Sequence, residues 1–540
     1  MEEGKLELTW VGKDRRLLAH GDDSYEWVDP ADWRVSEIRL LHDVDTVGDP
    51  NNGNLLIHGD AMHALDALIH IPHLAARYEG KVKLVYIDPP FNTGQAFAHY
   101  DDNLEHSVWL TLLRDRLTQI QRLLAPDGSV WVHLDDVEAH RARCVLDEVF
   151  GAENFVATIV WQKATGTRKT DIASTHDYLV VYAPTRQRVA SSRNGLVRTE
   201  SQMARFKNPD DDPRGPWRQG ADSMAPGPGA DYPITLPSGR TVRPLEGRPW
   251  RYSKEKFEQA LLAGRVYFGR DGDSLPIVKS YLNEVTDSVT PSTWWPATEV
   301  GSNQEAKRDH LSKLFPGVAP FDTPKPERLL ERVIHIGSNP GDVVLDCFGG
   351  SGTTAAVAHK MGRRWVTAEV SADTISTFLR PRLELVVKGE DPGGITESVG
   401  WEGGGGFTHV EVGPSMFEDV DGTVVMADWA VGGELTEAVA AQLEFELAPE
   451  GPLAGRKGRK RLAVVDGMVT GAVVEHLVGL IGDDETLLVV GRALAPGVED
   501  RVRELRSGSR ARKIPRDLAT VGRLPSRLVR LKPRKAEVAG

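Results

Sequence analysis

An acidic, proline-rich motif is the first group of residues whose types and spacing could do chemistry. The apolar run 84–87 predicts a buried strand, and directly after it stand Asp88, Pro89, Pro90 and Phe91. Ligands of α/β proteins bind at such strand ends. Proline fixes φ and lacks an N–H group, so the carbonyl oxygens of Asp88 and Pro89 can face outward as acceptors. Together with the carboxylate they suit an exocyclic amino group on a base that Phe91 stacks against, although the motif alone is also compatible with an ordinary turn.

A glycine-rich motif at residues 348–352, Phe-Gly-Gly-Ser-Gly, is the second candidate. It follows an apolar run that ends at Asp346 and precedes a segment with helical periodicity. Glycines at a strand-to-helix turn let the backbone approach a ligand and aim the helix N-terminus at it. About 20 residues further on, the next apolar run ends at Glu369, where an acidic side chain can bind a ribose hydroxyl. The combination predicts a nucleoside cofactor, with a merely tight structural turn as the alternative.

The elements that must position these motifs follow from apolar periodicity. Strands are predicted at 55–57, 82–87, 128–134, 343–347 and 365–369, and helices at 61–71, 106–124, 138–150, 327–336 and 353–361. Strands that alternate with helices predict a parallel sheet with crossover helices. Between 185 and 247 the chain is instead rich in Pro, Gly, Arg and Asp, which indicates an insertion. Its basic residues favour a binding surface, together with Trp217, Trp250, Trp294 and Trp295.

These patterns predict five regions. They are an N-terminal extension, the half with the proline motif, the insertion, the half with the glycine motif, and a C-terminal α/β unit with a basic tail. Their predicted bounds are 1–50, 51–162, 163–320, 321–402 and 403–540. A run of glycines at 403–406 marks the last boundary as a hinge. The C-terminal unit is a candidate for dimerisation or for docking a partner.

Charge is distributed unevenly along the chain. The 540 residues carry a formal net charge of −13, yet residues 501–540 hold 13 Lys and Arg against 3 Asp and Glu. Because local charge governs contacts with phosphates, a nucleic-acid partner stays open. Solvated surface charge is the alternative explanation for this basic stretch.

Cysteine, histidine and apolar content narrow the class of protein further. Cys144 and Cys347 are too few for a disulfide framework or a cysteine-based zinc site. His58, His63, His70 and His73 lack a metal-binding spacing, so no metal is predicted. The apolar runs are far shorter than the roughly 20 residues that span a bilayer, and the N-terminus has no signal-peptide pattern. A cytoplasmic protein without a membrane segment is therefore expected.

The order of the two motifs resembles that of a known enzyme family. In the β-class amino-directed DNA methyltransferases, an Asp-Pro-Pro motif precedes a Phe-x-Gly-x-Gly turn, with a long variable segment between them. The sequence is most similar to the modification (Mod) subunits of type III restriction–modification systems. The segments that carry the resemblance are 88–94, 106–110, 162–163, 175–182, 294–296, 303–307, 321–328 and 346–354.

The resemblance implies a fold and a set of site residues. The fold is a Rossmann-like S-adenosylmethionine-dependent methyltransferase of circularly permuted motif order, with an inserted target-recognition domain and a small C-terminal α/β domain. The residues implied to hold the target adenine are Asp88, Pro89, Pro90 and Phe91. The residues implied to bind the cofactor S-adenosylmethionine are Asp60, Lys325, Asp346, Phe348, Gly350, Gly352 and Glu369, with Glu369 on the ribose.

The implied activity is methyl transfer to N6 of a flipped-out adenine in double-stranded DNA. Asp88 stands where serine is usual in N4-cytosine enzymes, which favours adenine. Phe91 stands where many relatives have tyrosine, which keeps stacking but loses any hydroxyl contact. Basic residues of the insertion are candidates for DNA contacts: Lys163, Arg168, Lys169, Arg205, Lys207, Arg214 and Arg218. The implied partners are DNA, a second copy of the chain and a separate helicase–nuclease restriction subunit.

Other interpretations of the same residues stay open. The chain could be a solo adenine methyltransferase, an N4-cytosine or RNA methyltransferase, or a catalytically silent subunit that only binds nucleic acid. Both motifs are intact, which argues against the silent subunit. The methylated nucleoside would distinguish the enzymatic alternatives from one another.

Overall fold

A ten-stranded mixed sheet runs through the larger of two compact units in the computed structural model. The structure describes residues 7–19, 25–90, 105–165, 172–286 and 288–519. Along the chain, the strands are β1 (Leu41–Gly48), β2 (Leu55–His58), β3 (Val82–Ile87), β4 (Leu124–Leu134), β5 (Phe155–Gln162), β6 (His176–Tyr182), β7 (Trp294–Trp295), β8 (Val343–Asp346), β9 (Arg364–Glu369) and β10 (Gly406–Val412). Across the sheet they lie in the order β7-β5-β6-β4-β3-β8-β9-β2-β10-β1.

The longer helices of this unit follow strands in the chain. They are α1 (Ala61–His70), α2 (His106–Leu123), α3 (Ala139–Phe150), α4 (Glu327–Gly337), α5 (Thr353–Lys360), α6 (Arg380–Lys388), α7 (Gly432–Gln442), α8 (Gly471–Val478) and α9 (Val498–Leu505). Short helices span Trp33–Ser36, Pro72–Tyr78, Arg186–Ser192, Ala297–Val300, Ser312–Leu314, Ala372–Thr374, Thr396–Val399 and Arg516–Ala519, and π-helical turns span Glu305–Leu311 and Ile375–Leu379. Among the described residues, no helix has both the length and the apolar character that a membrane crossing needs.

Most of the predicted core elements are confirmed to within one residue. The helix predicted at 106–124 is α2, and one of its faces is buried, with Trp109 and Leu113 fully enclosed. Strand β4 is the exception, because it begins at Leu124 rather than four residues later. Leu124 pairs with Val82 before the register shifts. An irregular strand start that follows a helix without a loop leaves no periodic signal in the sequence.

The parallel sheet predicted from the alternation is only partly correct. Strand β6 runs antiparallel to both β5 and β4, and β1 runs antiparallel to β10 at one edge. The connection between β5 and β6 spans only residues 163–175, and a short connection favours an antiparallel return. The remaining neighbours are parallel, so β3, β8, β9 and β2 all end at the same edge of the sheet.

Residues 194–291 form the second compact unit. Its three-stranded antiparallel sheet has the order Trp217–Gln219, Ile277–Tyr281 and Val266–Tyr267. Its other elements are the helices Glu200–Met203 and Lys254–Leu262 and the strand pairs Leu196–Val197 with Ser288–Val289 and Ile234–Thr235 with Thr241–Val242. A buried ammonium joins two aspartates of the unit, since Lys279 Nζ lies 2.5 Å from Asp210 and 2.6 Å from Asp212.

The insertion predicted at 163–320 is wider than this unit. Strands β6 and β7 both belong to the ten-stranded sheet, so both flanks of the predicted insertion belong to the larger unit. The predicted aromatic binding surface is also wrong for three of its four tryptophans. Trp217, Trp250 and Trp295 are buried, whereas Trp294 is 55% exposed. The buried indoles contribute apolar area to the two cores rather than a surface for a ligand.

The C-terminal segment has a five-stranded mixed sheet of its own, as the predicted α/β unit requires. Its strands, adjacent in this order, are β11 (Glu446–Glu450), β12 (Leu453–Lys457), β13 (Lys460–Val469), β14 (Thr486–Leu494) and β15 (Arg510–Lys513). The boundary predicted at 403 nevertheless lies within the larger unit, because β10 belongs to the ten-stranded sheet. Gln442 on α7 also accepts the N–H of Ile38 at 2.7 Å. The predicted N-terminal extension likewise supplies β1 to the same sheet.

Candidate active site

The carboxyl ends of four neighbouring strands bring both sequence motifs to one edge. Asp88 follows β3, Asp346 ends β8, Glu369 ends β9, and Asp60 lies two residues beyond β2. Strands β3 and β8 are hydrogen-bonded neighbours, so the proline motif and the glycine motif are adjacent in space. This is the edge at which α/β proteins bind their ligands. The structure therefore places the two predicted half-sites side by side.

The carboxylate of Asp88 has one oxygen held and one oxygen open. The Nζ atom of Lys325 donates to Oδ2 at 2.5 Å, and the Lys325 side chain is almost fully buried. The Oδ1 atom is buried and has no hydrogen-bond partner within the described part of the chain. Leaving a buried acceptor without a donor costs about 1–3 kcal/mol. Oδ1 is therefore suited to accept a hydrogen bond from a ligand.

The two prolines after Asp88 are fixed by packing. Pro89 is buried, and the indole Nε1 of Trp109 on α2 donates to the carbonyl oxygen of Pro90 at 2.6 Å. Since proline has no N–H group, this corner offers a ligand acceptors rather than backbone donors. Phe91, the predicted stacking residue, lies outside the described residues, so its role stays a prediction.

Lys325 lies on the acceptor side of the site. The sequence resemblance assigns it to the cofactor, whereas the structure places its ammonium on Asp88. It belongs to the loop before α4, where Pro324 and Pro326 restrict the backbone on either side. The loop thereby joins the half with the glycine motif to the half with the proline motif.

A buried polar chain lies behind Asp88, and the sequence did not predict it. The hydroxyl of Tyr86 is 2.7 Å from Nδ1 of His133, whose Nε2 is 3.4 Å from Oδ2 of Asp177. Lys163 Nζ donates to the other oxygen of Asp177 at 2.6 Å. Tyr86, His133 and Asp177 lie on β3, β4 and β6. The antiparallel strand β6 therefore brings Asp177 next to His133. The only sequence signal for Lys163 and Asp177 was that segments 162–163 and 175–182 resemble Mod subunits. That resemblance did not assign either residue a role.

Burial and pairing set the charges along this polar chain. Burial lowers the pKa of His133, and the Lys325 ammonium lowers it further, so the ring is neutral at neutral pH. Burial alone would raise the pKa of Asp177, but contacts with His133 and Lys163 hold it below its ordinary value. Burial raises the pKa of the Tyr86 hydroxyl well above its usual range. Neutral groups therefore support β3 and Asp88, and the ionised pair stands at the far end of the chain.

Asp346 fastens the start of the glycine-rich turn. Its Oδ1 accepts the N–H of Phe348 at 3.0 Å, and its Oδ2 accepts the hydroxyl of Thr354 at 2.6 Å. Burial raises the pKa of Asp346 to about 8, and the charges of Asp88 and Glu369 act in the same direction. Both oxygens are thus occupied by groups of the turn itself.

Glu369 fastens the middle of the same turn. Its Oε2 accepts the N–H of Gly350 at 2.8 Å, and its Oε1 accepts the N–H of Ser371 at 2.9 Å. Gly350 and Gly352 have φ values of +48° and +78°, a conformation that side chains other than glycine disfavour. The turn therefore depends on glycine at both positions and on the carboxylate that closes it.

The groups around this turn fit S-adenosylmethionine. Asp88 and Glu369 make the edge acidic, which complements the positive charge of a sulfonium. Asp60 caps α1 through the N–H of Met62 at 2.6 Å and accepts from Arg116 at 3.0 Å. Its side chain is 40% exposed, so the carboxylate remains accessible to a ligand. Asp60, Asp346, Phe348, Gly350, Gly352 and Glu369 thus all lie at or beside the turn.

The basic residues predicted to contact DNA have different surroundings. Lys163 is paired with Asp177, and Arg214 is paired with Asp212. The guanidinium of Arg218 stacks over the ring of Phe206. Arg205 and Lys207 are exposed, whereas Arg168 and Lys169 lie outside the described residues. Because they are exposed, Arg205 and Lys207 are better candidates for DNA contacts than the paired or stacked residues.

The basic tail is described only as far as residue 519. Within that part, Arg501 pairs with Glu475 and Arg506 with Asp483 on the same sheet-and-helix unit. Ion pairs of this kind are typical of a solvated surface and contribute little energy each. Residues 520–540 lie outside the described residues.

Comparison with known proteins gives one family. The family model described as DNA methylase matches residues 82–379. The Mod subunit of the type III restriction-modification enzyme StyLTI from Salmonella typhimurium is 30% identical over 383 residues, which cover 65% of this chain and 55% of that protein. The DNA adenine methyltransferase YhdJ from Escherichia coli strain K12 is 52% identical over 335 residues, which cover 62% of this chain and 84% of that protein. The chain thus spans about half the length of the restriction-system relatives it matches.

Solved structures match more weakly. A DNA modification methylase from Thermus thermophilus aligns with a TM-score of 0.32 and 18% sequence identity, over 67% of this chain and 100% of that one. The PvuII DNA methyltransferase, which is cytosine-N4-specific, aligns with a TM-score of 0.35 and 16% identity, over 63% of this chain and 89% of that one. Similarity at this level supports no conclusion about the chemistry of the site.

Proposed function

The chain belongs to the DNA methylase family, and we propose that it transfers a methyl group from S-adenosylmethionine to the N6 amino group of adenine in double-stranded DNA. One observation carries the proposal, namely the Oδ1 of Asp88, which is buried and has no partner among the described residues, at a strand end next to the glycine-rich turn. An amino group needs two acceptors. Asp88 Oδ1 and the carbonyl oxygen of Pro89 are the two that the motif offers.

The acceptor side of the site would activate the base. An exocyclic amino nitrogen is a weak nucleophile, because its lone pair is delocalised into the ring. When Asp88 and Pro89 accept its two hydrogens, the lone pair is freed and directed toward the neighbouring strand. Lys325 keeps the carboxylate in this orientation through Oδ2. Such positioning of two reactants can supply several kcal/mol of the barrier.

The cofactor side would orient the methyl donor. S-adenosylmethionine, when bound, would supply a methyl group that its sulfonium activates, and the methyl–sulfur bond would break to leave S-adenosylhomocysteine. Glu369 and Asp60 offer carboxylates to its nucleoside part, and the turn at Gly350 and Gly352 allows the backbone to approach it. The nitrogen loses one proton once the new N–C bond has formed. Asp88 Oδ1, which is already in contact with that N–H, is the acceptor for this proton.

The DNA must deliver an unpaired base to this edge. Adenine N6 is engaged in a base pair, so the nucleotide has to leave the stack, at a cost of a few kcal/mol. We assign target recognition to the compact unit at 194–291, and the exposed Arg205 and Lys207 support contacts with the backbone phosphates. The remaining regions would be the two catalytic halves and a C-terminal unit for dimerisation or docking.

We further propose that the chain acts as the modification subunit of a type III restriction–modification system. The support is its similarity to Mod subunits such as that of StyLTI. DNA cleavage would then require a separate helicase–nuclease subunit. A homodimer in the cytoplasm is part of the same proposal.

Nucleoside mass spectrometry tests the proposed reaction. The purified chain is incubated with S-adenosylmethionine and unmethylated duplex DNA, beside Asp88→Ala and the control Asp428→Ala, which changes an exposed aspartate. We expect N6-methyladenine from the wild type and from Asp428→Ala, and none from Asp88→Ala. N4-methylcytosine as the product, or N6-methyladenine that persists in Asp88→Ala, would contradict the proposal.

A further inference from the structure

Five ionisable side chains form a buried cluster beneath the glycine-rich turn. Lys360 Nζ lies 2.8 Å from Glu327 and 2.7 Å from Asp391, and all three side chains have no measurable exposure. Arg382 Nη2 lies 2.9 Å from Glu327, and His310 Nε2 lies 2.8 Å from Asp391. The members come from α4, α5, α6, the π-helical turn Glu305–Leu311 and the loop after α6. The cluster therefore joins five segments of the chain around two carboxylates.

A metal ion does not explain this cluster. His310, Glu327 and Asp391 place three ligand atoms close together, which is compatible with a metal site. The ammonium of Lys360, however, already contacts both carboxylates, and the guanidinium of Arg382 contacts one of them. Two fixed cations balance two anions, so a divalent ion would add uncompensated positive charge.

Arg382 connects the cluster to the cofactor turn. Its Nη2 is held by Glu327, while its Nη1 donates to the carbonyl oxygen of Ser351 at 3.2 Å and to the hydroxyl of Thr353 at 2.9 Å. These two acceptors flank Gly352, whose φ of +78° lies in the region that glycine favours. A planar guanidinium fixes the direction of each bond it donates. Arg382 therefore constrains the backbone on both sides of Gly352, which has no side chain of its own to hold it.

Stability alone is a weak reason for such a cluster. Desolvation of buried charges offsets much of their attraction, and apolar replacements of similar volume are often neutral or stabilising. The turn, in contrast, needs external support, because glycine has the largest backbone freedom of any residue. A guanidinium that is itself immobilised by a buried carboxylate can provide that support.

We propose that Arg382, immobilised by Glu327, is a positioning residue that holds the Ser351–Thr353 part of the turn in its cofactor-binding geometry. The buried cluster thus sets the affinity for S-adenosylmethionine and does not take part in methyl transfer itself. This inference rests on the proposed function, because it takes the turn to be the cofactor site. It predicts a loss of cofactor affinity that exceeds any loss of the rate at saturating cofactor.

Isothermal titration with S-adenosylmethionine, without DNA, tests the inference. The variants are Arg382→Met, Arg382→Lys and the matched control Arg380→Met. Arg380 is on the same helix but pairs with Glu384 and Asp45 near the surface. We expect Arg382→Met to weaken binding by about tenfold or more, since hydrogen bonds from a charged group are lost. Arg382→Lys should recover part of the affinity, and Arg380→Met should bind like the wild type.

The thermal midpoint, measured on the same samples, separates positioning from stability. If Arg382→Met lowers the midpoint but binds the cofactor as tightly as the wild type, the role is structural and the inference is wrong. Should Arg382→Met fail to fold, Thr353→Val removes one acceptor of the guanidinium and leaves the cluster intact. We expect weaker cofactor binding from that variant too, and unchanged binding would contradict the inference. If the wild type itself does not bind S-adenosylmethionine, it is the proposed function that fails.

Discussion

Asp88 and Asp346 end neighbouring parallel strands, yet the protein holds the two carboxylates in opposite ways. Asp346 has both oxygens occupied, by the N–H of Phe348 and the hydroxyl of Thr354. Asp88 has one oxygen on the ammonium of Lys325 and one that is buried without a partner in the described residues. The first arrangement completes a turn, whereas the second leaves an acceptor available for a ligand. Two aspartates at one sheet edge are thus held differently, and only Asp88 has an oxygen available for the amino group of the proposed substrate.

The groups that support the two carboxylates also differ, in how many of them are charged. Behind Asp88 the chain from Tyr86 to Asp177 begins with neutral groups and reaches an ion pair only at its far end. Beneath the turn, fully buried ions surround Glu327. The acceptor side is thus oriented by a single cation, and the cofactor side by a network. This difference predicts which substitutions affect methyl transfer and which affect cofactor binding.

Of the groups that support Asp88, the Lys325 ammonium should have the largest effect on the rate when it is removed. In Lys325→Met, Asp88 loses the partner that orients it, and we expect single-turnover methyl transfer to fall by about 100-fold or more. The affinity for S-adenosylmethionine should stay within about threefold of the wild type. Lys325→Arg, which keeps the positive charge, should retain more activity than Lys325→Met. If cofactor affinity falls as much as the rate, Lys325 contributes to cofactor binding and this prediction is wrong.

The polar chain behind Asp88 should affect stability more than cofactor affinity. In Asp177→Asn, the charge that Lys163 and His133 face is lost, and we expect the free energy of unfolding to fall by about 2 kcal/mol. The matched control is Asp136→Asn, an exposed aspartate at the end of the same strand pair. It should change the free energy by less than about 0.5 kcal/mol. If urea titrations give equal losses for Asp177→Asn and Asp136→Asn, the buried polar groups do not contribute to the free energy of unfolding.

The smallest expected effect is a pH dependence caused by Asp346. Its pKa is raised to about 8 in the folded protein, against an ordinary value of 3.8 when unfolded. The folded state therefore holds the proton more tightly, so stability declines as pH rises from the unfolded pKa to the folded pKa and levels off above the folded value. Between about pH 7 and 9 the wild type should lose about 1 kcal/mol more than Asp346→Asn. Parallel stability curves for the two proteins would contradict the raised pKa.

The sequence predicted which residues meet at the edge of the sheet, but it did not predict the side-chain contacts between the two halves of the site. Asp88, Asp346 and Glu369 could be placed together because strand–helix alternation implies parallel strands, whose ends share an edge. Lys325 was assigned from its neighbours in sequence, and those belong to the glycine-motif half. Its contact with Asp88 depends on the course of a loop, which periodicity does not describe.

Antiparallel pairing explains most of what the sequence analysis missed. The chain from Tyr86 to Lys163 requires β6 to lie beside β4, and the predicted parallel sheet did not include that strand. The same strand, together with β7, moved the bounds of the insertion from 163 and 320 to 194 and 291. Three of the four tryptophans expected to bind a ligand proved to be core residues, because composition alone does not distinguish an apolar core from an aromatic surface.

The open oxygen of Asp88 is tested most directly by Asp88→Asn. Asparagine keeps the shape of the side chain but has a single acceptor oxygen, and Lys325 would occupy it. The amide NH₂ group would then face the N–H groups of the base. Methyl transfer to duplex DNA and the Kd for S-adenosylmethionine are measured on the same preparation. We expect transfer to fall by about 1,000-fold or more with the Kd unchanged within about threefold. Activity within about tenfold of the wild type would contradict the assignment of Asp88 as the acceptor for the amino group.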